Sequence, residues 1–411
     1  MEVIYPRCCG LDVHKKTVVA CLRSPGADGK PTKVIRTFGT MTADLVALAD
    51  WLAAAGCTHV AMESTGVYWK PIWNLLEQRF HLLLVNARHI KAVPGRKSDV
   101  RDSEWIAELL QHGLLRGSFV PDRAQRELRE LTRYRMALVR QRTAEANRLQ
   151  KTLEGANIKL ASVATDILGV SGRQILAALV AGELDPRVLA ELAQGLLRKK
   201  IPQLEQALAG QVDAHHRFLM RRHLEQVEGL DIAIADVSAE IGDRMAPVAA
   251  IIARLDTIPG IGRYMAEAVL AEIGTDMRRF PSAQHLASWA GMCPGTYESA
   301  GKRQRGTTRK GSPWLRALLV QAAHAAARTQ RTYLAAQYRR LAARRGKQRA
   351  AVAVGHTILV IIYHLLTEET EYKDLGPQYF DEHDRAATER RLVRRLEQLG
   401  YTVSLEPAQT A

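Results

Sequence analysis

Arg7-Cys8-Cys9-Gly10-Leu11-Asp12-Val13, then His14-Lys15-Lys16, then Thr17-Val18-Val19-Ala20-Cys21-Leu22-Arg23 is the stretch that decides the fold. Both arms are short and rich in β-formers, with polar turn residues between them, so each reads as a strand. Gly26-Ala27-Asp28-Gly29 is a second turn, and Lys33 to Gly39 a third strand. Thr42 starts a helix with Leu45, Leu48, Ala49 and Leu52 on one face, stopped by Gly56. His59 to Met62 is a buried strand ending in Glu63-Ser64-Thr65-Gly66. A helix from Tyr68 to Arg79 and a strand from Leu82 to Asn86 follow. The order predicts an α/β sheet that begins with an antiparallel meander.

Pro94-Gly95 breaks the chain before a helix expected near Asp99, with Ile106, Leu109 and Leu110 apolar. From Arg123 only helices are predicted. Leu128, Leu131, Tyr134, Leu138, Leu149 and Leu153 form one seam. Met220, Leu224, Val227, Ile234, Ile241 and Met245 form another, interrupted by Asp231 and Ser238. The two seams pair with each other, pair with another subunit, or belong to an ordinary bundle core. The expected class is α/β plus all-α. Residues 1–122 form the sheet domain, 123–249 a helical or coiled-coil region, 250–375 a helical domain and 376–411 a charged tail.

The chain has 411 residues, 47% of them hydrophobic, which suits two or three domains with proper cores. A net charge of +15 and a pI near 9.8 point to a polyanionic partner. There is no Asp or Glu between Glu298 and Glu368, yet Lys302 to Arg349 holds fourteen Lys or Arg. A one-signed block repels itself unless something negative lies against it, and nucleic acid is the favoured partner. A membrane is disfavoured. The longest apolar run, Ala350 to Leu366, reads as broken at Gly355-His356. Cys8, Cys9, Cys21, Cys57 and Cys293 show no zinc spacing and read as reduced, buried thiols of a cytoplasmic protein.

Three constellations carry chemistry. Asp12 lies on the first strand, Glu63 ends the fourth, and Asp99 and Asp102 are three apart on one helix face. Four such carboxylates suit two Mg²⁺ ions serving a phosphoryl displacement, with Mn²⁺ an acceptable substitute. Each acid also has an ordinary role, as a turn former, a solvated strand end or a helix-capping pair. Pro259-Gly260-Ile261-Gly262 reads as the turn of a helix-hairpin-helix, which offers backbone N–H groups to a phosphate; a plain helix–helix turn has the same look. Ser299 sits before Lys302, Arg303, Arg305, Arg309 and Lys310, with Arg316 beyond. A serine among cations suits attack on a phosphodiester, although a glycine-rich surface loop is the plainer reading of that stretch alone.

The chain resembles the DEDD transposases of bacterial insertion sequences, the "IS one-ten" group. Five ordered motifs carry the resemblance: Gly10-Leu11-Asp12-Val13-His14-Lys15, Met62-Glu63-Ser64-Thr65-Gly66, Lys97-Ser98-Asp99-Val100-Arg101-Asp102, Ile258-Pro259-Gly260-Ile261-Gly262, and Gly291-Met292-Cys293-Pro294 leading to Ser299-Ala300-Gly301-Lys302. The resemblance spans roughly residues 7 to 370. It implies a RuvC-like domain on a ribonuclease-H fold and a helical transposase domain. It places the metal-binding tetrad on Asp12, Glu63, Asp99 and Asp102, and the nucleophile on Ser299. It further implies a homotetramer, a 5′-phosphoserine intermediate, and a structured RNA from the element that pairs with donor and target DNA. Ala300 stands where the family pattern usually has glycine. The expected product is a nucleoid-associated recombinase. The competing readings are a RuvC-like metal nuclease that uses water, and a non-enzymatic DNA-architectural protein.

Overall fold

The computed structural model describes residues 2–26, 31–64, 66–86, 102–293, 298–299, 302–303, 308, 311–383 and 385–405. The chain divides into two compact units, Met1–Arg123 and Ala124–Ala411. The turn residues 27–29 and the Pro94-Gly95 break lie outside the described residues.

In the first unit, β1 (Cys8–Val13), β2 (Thr17–Pro25) and β3 (Pro31–Gly39) form the expected meander. β4 (His59–Glu63) runs parallel to β1, and β5 (His81–Val85) parallel to β4. β6 (Gly117–Ser118), antiparallel to β5, is too short to leave a sequence pattern. The order is β3-β2-β1-β4-β5-β6, a mixed sheet consistent with the ribonuclease-H-like expectation. Strand side chains alternate between faces. Cys9, Leu11, Val13, Val60 and Met62 pack on α1 (Thr42–Ala54) and α2 (Trp69–Leu76). Cys8, Ala61 and Val85 pack instead on α3 (Asp102–Gln111), with Trp105, Ile106, Leu109 and Leu110. Burial pushes the thiols of Cys8 and Cys57 up to about 12 and that of Cys21 to about 11. They are inert at neutral pH, while Cys293 is only half-buried.

The second unit begins with α4 (Arg123–Gly155). After α5 (Val170–Ala181) and short helices at Leu160–Val163, Pro186–Glu191 and Ile201–Leu208, α6 (Ala214–Met245) returns. Arg244 pairs with Glu127 at 2.9 Å, Arg135 reaches Ser238 at 3.5 Å, and Glu145 pairs with His223 at 2.5 Å. The numbers run in opposite senses, so the two seams pair with each other, antiparallel, within one chain. α6 is continuous through Asp231 and Ser238, because each finds partners on or beside the helix. Asp231 is bound by Arg142 and by Arg173, the latter at 2.7 Å. Ser238 Oγ donates to Ile234 O at 2.6 Å. The residues between the arms fold into a small cap around Leu153, Leu176, Leu204 and Met220.

The remaining helices share a separate core. They are α7 (Ala249–Asp256), α8 (Arg263–Ile273), α9 (Ala283–Trp289), α10 (Pro313–Ala326), α11 (Tyr333–Arg345) and α12 (Lys347–Glu368). α12 corrects one expectation: the Ala350 to Leu366 run is one unbroken helix, apolar and long enough by length and composition to cross a membrane. Its Ala351, Val354, Ile358, Leu359 and Ile362 nevertheless lie in the core. Gly355 does not break it; a Cβ there would stand 3.0 Å from Leu319 O, so the glycine lets α10 and α12 cross closely. The tail carries helices Tyr379–His383 and Arg385–Gln398.

Candidate functional site

Leu11 of β1 is in register with Met62 of β4. The next residues, Asp12 and Glu63, therefore stand side by side at the ends of neighbouring parallel strands. Both face the α3 side, since Leu11 and Met62 face the other. α3 comes close to that face at Gly10, where a Cβ would lie 2.3 Å from Ser103 O and 2.4 Å from Ala107 N. Asp102, the first residue of α3, precedes Ser103 and so begins the helix on the same face. Asp12 is about one-quarter exposed, and His14 Nε2 stands 3.2 Å from its Oδ2. Asp99 lies outside the described residues. Among the described residues, no three His, Cys, Asp or Glu are grouped to hold an ion. The donor chemistry of Asp12 and Glu63, hard carboxylates at the ends of adjacent strands, fits a hard divalent cation.

In the second unit, β7 (Glu298–Ser299) pairs antiparallel with β8 (Lys302–Arg303), setting Ser299 in register with Lys302 and Glu298 with Arg303. Arg305, Arg309 and Lys310 lie outside the described residues. The loop is closed at its neck. A Cβ on Gly311 would lie 2.3 Å from Ala290 C and from Gly291 N, so only glycine lets the returning strand meet the departing one. Ser312 then caps α10, accepting from Leu315 N at 3.3 Å, and its Oγ stands 3.3 Å from Glu272 Oε2. Glu272, nearly fully buried, takes a bidentate Arg133 at 2.7 and 3.0 Å. Trp314 lies under two guanidinium groups, Arg133 at 5.6 Å and Arg140 at 5.5 Å.

The Pro259-Gly260-Ile261-Gly262 turn joins α7 to α8. Ile258 and Ile261 are buried core residues. Gly260 has φ of 90°, and a Cβ on it would lie 2.4 Å from Ala322 O, so its open side is filled by α10. Gly262 caps α8 with extended backbone, and its carbonyl accepts from Met265 N at 2.8 Å and Ala266 N at 2.9 Å, so the turn's candidate donors are the N–H groups of Arg263 and Tyr264 at the helix start. Sequence reasoning missed what holds α8. Glu267 and Glu272 are buried, and Arg135 binds Glu267 at 2.7 Å while stacking on Tyr264 at 4.0 Å. The signal was legible: two acids in an otherwise apolar helix require buried partners.

A transposase family model matches residues 9–158, and the model described as the transposase IS116/IS110/IS902 family matches residues 252–339. The chain is 27% identical over 371 residues to the transposase for insertion sequence element IS1111A of Coxiella burnetii, covering 89% of this chain and 90% of the relative. It is 25% identical over 282 residues to the transposase for insertion sequence element IS1328 of Yersinia enterocolitica, covering 68% and 73%. A putative transposase of Sinorhizobium fredii matches at 28% over 289 residues, 69% of this chain and 65% of the relative.

Proposed function

This chain belongs to the IS110 family of insertion-sequence transposases and is a DNA transposase, and from that premise we propose that it cuts and rejoins DNA through Ser299, with Asp12, Glu63, Asp99 and Asp102 as its metal-binding set. The observation that carries the reading is the placement of Asp12 and Glu63 at one level on adjacent strands, facing α3. Bound Mg²⁺ would supply electrostatic stabilisation of the phosphate's developing charge. Asp12 and Glu63 would hold that cation at the strand ends, which fixes where the phosphate is met. Ser299 Oγ forms a bond to phosphorus as the bond to the 3′ oxygen breaks, and the serine proton leaves with the 3′ hydroxyl. A 3′ hydroxyl from the partner strand later attacks the phosphoserine and frees Ser299, so no bond energy is lost between cutting and joining. Lys302, in register with Ser299, and Arg303 offset the phosphate's charge.

The phosphate-binding role extends to Arg305, Arg309, Lys310 and Arg316, and to the turn at Pro259 to Gly262 through the start of α8. The guide RNA and the homotetramer rest on the family resemblance, with the one-signed basic block in support of a second nucleic-acid strand. The deciding experiment traps the covalent adduct on a nicked substrate and maps the attached residue. Attachment at Ser299 supports the proposal. Cleavage that proceeds without an adduct and survives Ser299→Ala means a nuclease that uses water.

A further inference from the structure

A cavity of about 710 Å³ opens between α10, α11 and α12, within the range that takes a small organic ligand. Its walls divide by chemistry. Met292, Val352 and Ala353 give an apolar floor, while Arg316 and Arg349 bring two fixed positive charges. No carboxylate lines it among the described residues. His356 also lines it, and burial lowers its proton affinity, so at neutral pH its flat ring is uncharged. Gln337 adds a hydrogen-bonding group. Thr357 Oγ1 donates to Ala353 O at 3.2 Å and so can only accept from Gln337 Nε2, at 3.0 Å. That leaves Gln337 Oε1 a buried acceptor with no partner among the described residues, a group that gains by turning to a ligand's N–H.

A free phosphate would satisfy the arginines and leave the apolar floor and the amide unused. A lipid or apolar ligand would leave the charges unused. A base with its phosphate uses all three. We propose that this cavity holds one unstacked nucleotide, its base on the Met292, Val352 and His356 surface and its phosphate between Arg316 and Arg349. Bases taken out of a stack are held in this manner, by a flat or apolar surface and by hydrogen bonds to their edge. The place in the fold gives the nucleotide a role. Met292 and Thr308 both line the cavity, and they flank the loop that carries Ser299. A nucleotide seated there fixes the strand beside the reacting phosphate, a role that rests on the Ser299 reading, whereas the binding itself does not.

The test is titration of the full-length protein with dAMP, AMP and deoxyribose 5-phosphate, read by saturation-transfer NMR. Saturation is expected at the base protons of a nucleotide, and deoxyribose 5-phosphate should bind about tenfold more weakly. Comparison of dAMP with AMP tells whether the strand is DNA or RNA. Arg349→Ala, a change at an exposed side chain, should weaken binding by about tenfold. Val352→Trp, which fills the floor, should abolish the base signal without lowering the melting midpoint of the protein. Equal binding of deoxyribose 5-phosphate and dAMP would show a bare phosphate patch and overturn the proposal. So would base signals that survive Val352→Trp. Ser299→Ala should bind dAMP as the unaltered protein does, so failure of the nucleophile reading and failure of this one are told apart.

Discussion

At Gly10, a missing side chain sets the geometry of two carboxylates. The strand's Asp12 and the helix that starts at Asp102 share a face only because nothing at position 10 separates strand from helix. Gly10→Ala should force α3 outward and destabilise the first unit by about 1–3 kcal/mol, measured by urea unfolding followed at Trp105 fluorescence. Asp12→Asn and Glu63→Gln should leave a folded protein that binds DNA and does not cut it; full cleavage by either, or cleavage in EDTA, would sink the metal-binding reading. Ser299→Ala should likewise bind and not cut. The placement of Asp12 and Glu63 was legible because each lies at the end of a predicted strand. The role of Gly10 was not, since a glycine that serves a close approach looks in sequence like one that serves a turn.

Among elements, α8 is held to α4 by charge rather than by an apolar seam alone. Glu267→Ala strands Arg135 in a buried site, and breaking such a pair costs about 3–5 kcal/mol; chemical denaturation of the intact chain should show it, while the exposed Arg278→Ala should show almost none. The arm's other joint, at Asp231, answers to pH. Burial raises the affinity of that carboxylate for a proton, but Arg142 and Arg173 outweigh it and hold the group below its ordinary range. Its contribution is therefore present above the unfolded value near 4 and disappears as pH falls through the folded one. Acid titration of Asp231→Asn against the unaltered chain should converge at low pH; curves that stay parallel would show that the joint carries nothing. The strands and the two long helices were readable from period and propensity. Their partners were not, because seams at 3 and 4 spacing look the same whether the mate is in the same chain or another. Asp231 and Ser238 read as interruptions for a related reason: a polar residue breaks a seam only when it lacks a partner, and sequence does not show partners.

Taken whole, the chain carries its one-signed basic block, Lys302 to Arg349, in the second unit, and its affinity for DNA should follow salt. Neutralising Arg309 and Lys310 together should weaken all sequences alike and flatten the slope of log affinity on log salt by about 0.9 for each phosphate that no longer meets a cation. A weakening confined to some sequences would mean base readout at those positions. α12 has a consequence at this scale that concerns how the protein is made. It is apolar enough to be taken for a membrane anchor while it leaves the ribosome. Yet α9, α10 and α11, the helices it packs against most closely, all precede it in the chain, and synthesis runs from the N-terminus. Their groove is complete before the first turn of α12 emerges, so the helix can dock as it is born. The segment most open to misdirection by the secretory machinery is the one whose berth is already built.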